Sequence, residues 1–457
     1  MLVGSRALIE HLDRVYAGRR DRYGLTLLSR SRAIRVIRLN DDEAVRRIVD
    51  VKLLDSLASA GSILPAKLIR GRQSRYVFLA QKRICPVAVP SEWSPTMFAD
   101  AALLILRTER LLIPLKMTVD DPHPWNVLFN CAKPYIVDMG SFNVIGTSVH
   151  WSGKRDAEIW PAFDVFCAFF LNAVTLVAAG RTDYISRTFT DWNPLPGSDT
   201  ALLLFKRPAV LFAFLSFRLK IAGYRWFWRF STSFRSEYLS QRLRFAYNSV
   251  QERFVKRMLH WTLRQQEKIG IADVPISAPA AEAVTSFTKE NSASSVLIYT
   301  RSRRSVEIVS DLVISKLLVL SPDANLIEAL YQARLDRMTT AVIDLRSPTA
   351  GVGPCNRWAT PSFERFRSEV GIFFFALDEL VLEKCLTLTE LLESSHALSR
   401  KALIFLKKPN QEIAMTGRDY GQLGDAVIFA CLEQRSIPFQ IIYNNKEEIA
   451  VVCGNRP

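Results

Sequence analysis

At 457 residues, 49% hydrophobic and 23% charged, the chain has the composition of two or three folded domains, which excludes a disordered polymer. Its 60 Lys and Arg against 45 Asp and Glu leave a net charge of +15, favouring anionic partners such as nucleic acid, phosphate-bearing substrates or an anionic membrane surface. Seven scattered cysteines without a CxxC pair and five dispersed histidines argue against a disulfide framework and a zinc site. Reduced thiols in the cytoplasm are the expectation. The N-terminus becomes charged within a few residues and shows no signal-peptide core.

Two β-like runs fall within residues 25–39, where 33–39 alternates apolar and basic side chains. A helix is expected over 41–60, ended by Gly61, followed by a strand over 76–84 and a helix over 97–112. The next stretch, 119–142, reads VDDPHPWNVLFNCAKPYIVDMGSF. Two short apolar runs, 127–129 and 135–137, flank a Lys-Pro turn, which is a β-hairpin pattern. Asp121 stands five residues before Asn126 at its entrance, and Asp138 follows at its exit, twelve residues after Asn126.

This spacing resembles the catalytic loop and the DFG-type segment of protein kinases, with Asp138-Met139-Gly140 in the place of DFG. The resemblance implies Asp121 as the base that orients an attacking hydroxyl, with Asn126 and Asp138 as magnesium ligands. The alternative reading is an Asx-rich loop between two ordinary strands, or a loop that keeps its geometry in an inactive module. Upstream, no Gly-rich phosphate loop is present, and no fixed Lys partner for phosphates can be named.

Residues 160–179 form an apolar run long enough to span a bilayer, yet Asp164 and Asn172 would then lie in hydrocarbon. A buried helix is expected instead. Residues 201–230 are apolar but interrupted by Lys206, Arg207, Arg218, Lys220, Arg225 and Arg229, a pattern of cationic amphipathic helices. Such helices usually pack on a core, and peripheral membrane contact stays open. Aromatics interleaved with arginines at 224–230 would suit stacking on bases, but their helical spacing reads as a core face. Nucleic-acid binding is therefore not expected.

The Pro- and Ala-rich stretch 276–290 reads as a linker. Beyond it, strands are expected at 295–299, 316–320, 340–345, 371–376 and 401–406. Helices fit 305–314, 326–334, 362–369 and 420–434, and a terminal hairpin pairs 439–443 with 449–453. Five β/α units and a hairpin make a doubly wound α/β domain, closer to a class I methyltransferase than to a dehydrogenase.

Several segments together carry a wider resemblance: GSILPAKLI (61–69), PSEWSPTMFADAALLIL (90–106), DDPHPWNVLF (120–129), KPYIVDMGSF (133–142), FDVFCAFFLNAVTL (163–176), SPDANLIEALYQAR (321–334) and VIDLRSPTAGVGPCNRWATPSFERF (342–366). They resemble a bacterial family of S-adenosylmethionine-dependent, methyltransferase-like proteins with a kinase-like N-terminal region. Within that family, host-specific nodulation proteins of rhizobia are the nearest type, implying a small-molecule, oligosaccharide or lipid-linked substrate. The implied fold is a kinase-like α+β module (1–185), a basic helical segment (186–275), the linker, and a Rossmann-like methyltransferase domain (291–457).

The implied cofactor residues are Asp323 for the ribose hydroxyls, Asp344 for the adenine amine, and Asn356. Asp323 stands two residues beyond the usual acidic position, which Ser321 occupies here. The family's glycine-containing first loop is replaced by Tyr299-Thr300-Arg301-Ser302-Arg303-Arg304. Asp344 as a turn cap, and the arginines as solvated charge, remain open alternatives. Three functions follow as expectations: methyl transfer from S-adenosylmethionine, Mg-ATP-dependent phosphotransfer through Asp121, Asn126 and Asp138, or a scaffold in which both modules have lost their chemistry.

Overall fold

The computed structural model describes residues 14–21, 24–29, 31–39, 42–70, 75–145, 158–182, 197–231, 236–269, 275–312, 314–345, 347–350, 361–376, 388–408, 433 and 438–454. Strands β1 (Arg14–Asp21), β2 (Gly24–Leu28), β3 (Arg32–Arg38), β4 (Ala66–Arg70) and β5 (Tyr76–Lys82) form an antiparallel sheet in the order β1-β2-β3-β5-β4. Two helices, α1 (Glu43–Ile48) and α2 (Val51–Ser59), connect β3 to β4. They occupy the span where one helix, 41–60, was expected. The break has a local cause: Asp50 accepts a hydrogen bond from the Lys52 amide at 2.9 Å and starts a second helix, as Asp42 starts the first through Ala44.

Helix α3 (Pro95–Leu112) follows, with Pro95 at its first turn, where a missing N–H costs nothing. Met97, Phe98, Ala101, Ala102, Ile105, Leu106 and Leu112 are all buried, so the helix is enclosed on most sides rather than laid on a surface. It leads into β6 (Met117–Val119), β7 (Val127–Asn130), β8 (Lys133–Ile136) and β9 (Phe142–Val144), paired as two small ladders, β6 with β9 and β7 with β8.

The long apolar run becomes α4 (Phe163–Phe166), a π-helical turn (Cys167–Leu171) and α5 (Asn172–Ala178). Phe163, Phe166, Phe170, Leu171 and Leu176 are buried, while Asp164 faces outward and pairs with Arg225 at 3.0 Å. This is the buried helix expected. Among the described residues, no helix is long and apolar enough to cross a membrane. Helices α6 (Gly197–Leu203), α7 (Pro208–Phe230) and α8 (Glu237–Ile269) complete this unit, with α8 packed on α3 and α5. The unit comprises Met1–Cys85 and Val89–Ile269.

The second unit comprises Pro86–Ala88 and Gly270–Pro457. It opens with α9 (Ala278–Asn291), capped by Ser277, whose Oγ accepts from the Ala280 amide at 3.2 Å. Ala280, Ala283, Val284 and Phe287 are buried in the core of this unit. The expectation of a linker at 276–290 is thereby corrected: Pro279 sits in the first turn, where proline suits a helix, and the small residues pack rather than flex.

Strands β10 (Ser295–Tyr299), β11 (Lys316–Ser321), β12 (Met338–Val342), β13 (Ser368–Ala376), β14 (Ser399–Lys407), β15 (Phe439–Asn444) and β16 (Glu448–Gly454) alternate with α10 (Arg303–Ser310), α11 (Ala324–Gln332), α12 (Ser362–Arg365) and α13 (Leu388–Leu398). The seven strands lie in the order β12-β11-β10-β13-β14-β16-β15. The five strands β10 to β14 pair in parallel, while β16 inserts antiparallel between β14 and β15. The doubly wound arrangement with a terminal hairpin is thus present, and its antiparallel strand lies one place in from the edge.

Val296, Leu297 and Ile298 are fully buried, the continuous apolar run of a central parallel strand. Each such side chain contributes about 2 kcal/mol relative to exposure. Among the boundaries that differ from expectation, two bear on the strand ends and the sheet. Strand β12 ends before Asp344, leaving that residue in the following turn, and α12 stops at Arg365 because buried Val370, Ile372 and Phe373 already belong to β13. The helix expected at 420–434 lies outside the described residues, save for position 433.

Candidate functional site

Each unit brings predicted polar residues together. In the first, the entrance loop of the β7–β8 hairpin folds through a short 3-10 turn, Pro124–Asn126. The Asn126 amide donates to the Asp121 carboxylate and to the Asp121 carbonyl, each at 3.0 Å. Val137 donates its N–H to the Asn126 carbonyl at 2.9 Å, which holds the hairpin exit beside that loop. The Asp138 carboxylate accepts from the Gly140 amide at 2.8 Å, capping the turn Met139–Ser141. Asp121, Asn126 and the Asp138 segment therefore converge at one end of the hairpin.

Arg35, on the adjacent sheet strand β3, was missed by sequence reasoning. Its guanidinium lies 2.5 Å from Oδ1 of Asp138, and its side chain is only 8% exposed. The contact is a close ion pair between a buried guanidinium and a partly exposed carboxylate. Arg35 shares its face of β3 with buried Ile37, two residues on, and the neighbouring Ile34 is buried on the other face, so the strand is covered on both sides there.

This arrangement bears on magnesium. A divalent cation at Asp138 would meet the guanidinium already neutralising that carboxylate. As placed, these residues do not fit a bound magnesium ion. Among the described residues, no group of three or more His, Cys, Asp or Glu side chains could hold a metal.

Two buried ionisable groups flank the same loop. His123 is buried against Phe169, with ring centroids 4.3 Å apart, and its Nδ1 accepts from the Trp125 amide at 3.2 Å. Burial pushes its pKa down to about 4, so the ring is neutral at pH 7. Glu109 of α3 accepts from Thr118 Oγ1 at 2.9 Å and from the Val119 amide at 2.7 Å. Desolvation pushes its pKa up to about 7, against the opposing pull of Arg244 and those hydrogen bonds.

In the second unit, the carboxyl ends of β10, β11 and β12 lie side by side. Tyr299 pairs with Leu320, and Ser321 with Val342; the Thr300 amide bonds the Leu320 carbonyl at 3.1 Å. The strand order reverses between β10 and β13, so this edge borders a topological switch point, where open α/β sheets take ligands. Asp323 stands just beyond β11 and caps α11, with Oδ1 accepting from the Asn325 amide at 2.8 Å and the Leu326 amide at 3.3 Å. Asp344 is half-buried in the turn after β12, and its carbonyl accepts from the Ser347 amide at 3.0 Å. Asp323 and Asp344 therefore follow neighbouring strands. Asn356 lies outside the described residues.

The first loop, Thr300 to Arg304, closes on itself. Thr300 Oγ1 accepts from the Ser302 amide and from Ser305 Oγ, both at 2.9 Å, and all three residues are buried. A threonine hydroxyl thus takes a backbone donor that a glycine loop would offer to a ligand. Arg303 and Arg304 both pair with Glu307 along α10, at 3.1 and 3.3 Å, as solvated helix-face charges do. Ser302, the N-cap of α10, makes no side-chain bond to the first turn, which leaves the helix amides without that cap.

No protein-family model and no curated protein matches the chain. Solved structures match it in part. EvdMO1 is similar at 14% identity and a TM-score of 0.30, covering 44% of this chain and 47% of its own. A DhpI-SAM-HEP complex is similar at 13% identity and 0.30, with 44% of this chain and 97% of the other covered. The magnesium protoporphyrin IX methyltransferase ChlM from Synechocystis PCC 6803, with bound SAH, is similar at 9% and 0.27, with 44% and 98% covered. The chain thus spans about half the length of the first of these. The strand order itself is the doubly wound α/β arrangement with a terminal hairpin.

Proposed function

We propose that the second unit binds S-adenosylmethionine at the carboxyl ends of β10, β11 and β12. The observation that supports this reading best is the pairing of Asp323 and Asp344 on adjacent strand ends beside the switch point, within a sheet whose β16 runs antiparallel inside the edge. Oδ2 of Asp323 takes no hydrogen bond among the described residues and suits a ribose hydroxyl. Asp344 would accept from the adenine amine, and the amides opening α10 would meet the carboxylate of the methionine part. When bound, the cofactor supplies an electrophilic methyl group; the chain's own contribution is to hold donor and acceptor in line and exclude water. Small molecules carrying sugars or lipid-linked groups, the class the resemblance implies, are the first acceptors to test.

Incubation with labelled S-adenosylmethionine and such acceptors is the direct assay. Transfer that disappears in Asp344→Ala supports the reading; a folded protein that neither stabilises on adding the cofactor nor transfers label contradicts it.

The first unit supports a different reading from phosphotransfer. We infer a kinase-like module in which Arg35 has taken the charge-neutralising place of magnesium on Asp138. The module has then lost phosphotransfer chemistry, as the scaffold alternative has it for both modules, and keeps a binding or structural role. Thermal melting with and without Mg-ATP tests it: no shift is expected, and a saturable shift lost in Asp138→Ala would restore phosphotransfer.

A further inference from the structure

Helix α7 is apolar on two opposite faces. Val210, Phe214, Phe217, Ile221 and Trp228 are buried inside its unit. Phe212, Leu215, Leu219, Trp226 and Phe230 are exposed, at 75%, 46%, 74%, 66% and 62%. At 100° per residue these five fall within about 60° of one another, directly opposite the buried five. Trp226 and Phe230 stack with ring centroids 5.4 Å apart and planes within 4°. Leu202 and Phe205, just before the helix, are also exposed, at 75% and 79%. The stripe on α7 alone exposes on the order of 600 Å2, the top of the range that a soluble monomer leaves uncovered in one patch.

The charges that α7 and its approach carry have one sign, although Asp164 and Glu158 from the preceding segment pair with Arg225, and Glu158 also with Arg229. Residues 201–230 contain six Lys and Arg and no Asp or Glu. Arg218 and Arg225 turn inward, to Cys167 Sγ at 2.9 Å and to Glu158 at 2.8 Å. Lys206, Arg207, Lys220 and Arg229 are exposed, with Lys220 on one flank of the stripe and Arg229, which also pairs with Glu158, on the other. An aromatic and leucine stripe bordered by cations is the surface of a helix that lies in a lipid–water interface. Two copies of this face would bring like charges together, which disfavours self-association through it.

We propose that α7 docks the protein on an anionic lipid surface, with Phe212, Leu215, Leu219, Trp226 and Phe230 entering the acyl boundary and Lys220 and Arg229 meeting lipid phosphates. The helix lies on the membrane rather than across it. The reading is independent of the cofactor site.

Flotation of the full-length protein with vesicles tests it. Binding is expected to mixed phosphatidylcholine–phosphatidylglycerol vesicles, to weaken with salt, and to be several-fold lower on phosphatidylcholine alone. Leu219→Glu with Trp226→Glu should lower the bound fraction at least tenfold without altering circular dichroism. Lys220→Gln, an exposed and conservative change, should lower it about fivefold on the mixed vesicles only. Absence of flotation with either vesicle would overturn the proposal. So would equal binding of wild type and the double variant, or a dimer in solution that Leu219→Glu disperses while vesicle binding is absent.

Discussion

Asp138 and Asp323 are the same residue in the same local setting, and the fold uses them differently. Each follows an apolar strand and caps the helical turn after it, Asp138 through Gly140 and Asp323 through Asn325 and Leu326. Asp138 is then also closed by Arg35 from another strand, whereas Asp323 keeps one oxygen clear among the described residues. The difference teaches that convergence of polar residues is not readiness for a ligand. The hairpin trio is the better assembled of the two sites, and its charge is already satisfied from within. The strand-end site is looser, and Asp323 has an acceptor left to offer among the described residues.

The largest effects should come from the closed site. Asp138→Ala would remove the carboxylate paired with a guanidinium that is 8% exposed, and should destabilise the first unit by about 3 kcal/mol. Denaturant melts would check this. A loss below about 1 kcal/mol would mean that Arg35 is well hydrated and the site is open after all.

Glu109 and His123 sharpen the picture through pH. A carboxyl raised from 4.5 to about 7 binds its proton in the native state first, so its contribution falls as pH rises from 4.5 to 7. At about 1.4 kcal/mol per pKa unit this amounts to roughly 3 kcal/mol. His123, lowered from 6.5 to about 4, has the opposite sign: the unfolded chain protonates first, and stability is lost as pH falls from 6.5 to 4. The two slopes nearly cancel over their shared window. Glu109→Gln should therefore expose a stability that rises with pH between 4.5 and 6.5, and His123→Phe one that falls. Unchanged profiles in both variants would mean that neither group is dehydrated.

In the open site the expected losses are smaller. Asp323→Ala removes an N-cap and should cost about 1 kcal/mol of stability, while weakening cofactor binding at least tenfold. Arg303→Ala and Arg304→Ala break exposed pairs with Glu307 and should change stability by less than about 0.5 kcal/mol. Either arginine proving essential for binding would show that α10 holds a ligand through side chains rather than amides.

Much of this was legible in the sequence, for identifiable reasons. The strands of the second unit are continuous apolar runs bounded by turns, and 295–299 coincides with β10. Spacing within 121–138 announced the hairpin, because the chain itself fixes which residues stand at its ends. Arg35 escaped because its partner is a hundred positions away and a basic residue in an alternating strand reads as outward. The helix at α9 escaped because alanine and proline suit a linker as well as a first turn, and only packing of Val284 and Phe287 decides between them. The closure of the first loop on Thr300 was equally hidden: missing glycines are visible in a sequence, but a hydroxyl that takes a backbone donor is not.

An adenosine held at the ends of β11 and β12 would be detected as heat of binding. Calorimetric titration of the intact protein with S-adenosylmethionine, and of Asp323→Ala and Asp344→Ala beside it, tests this most directly. The account predicts one saturable site per chain in the wild type and at least a tenfold weaker one in each variant. Absence of heat from a folded wild-type protein, or equal affinity in all three, would contradict it.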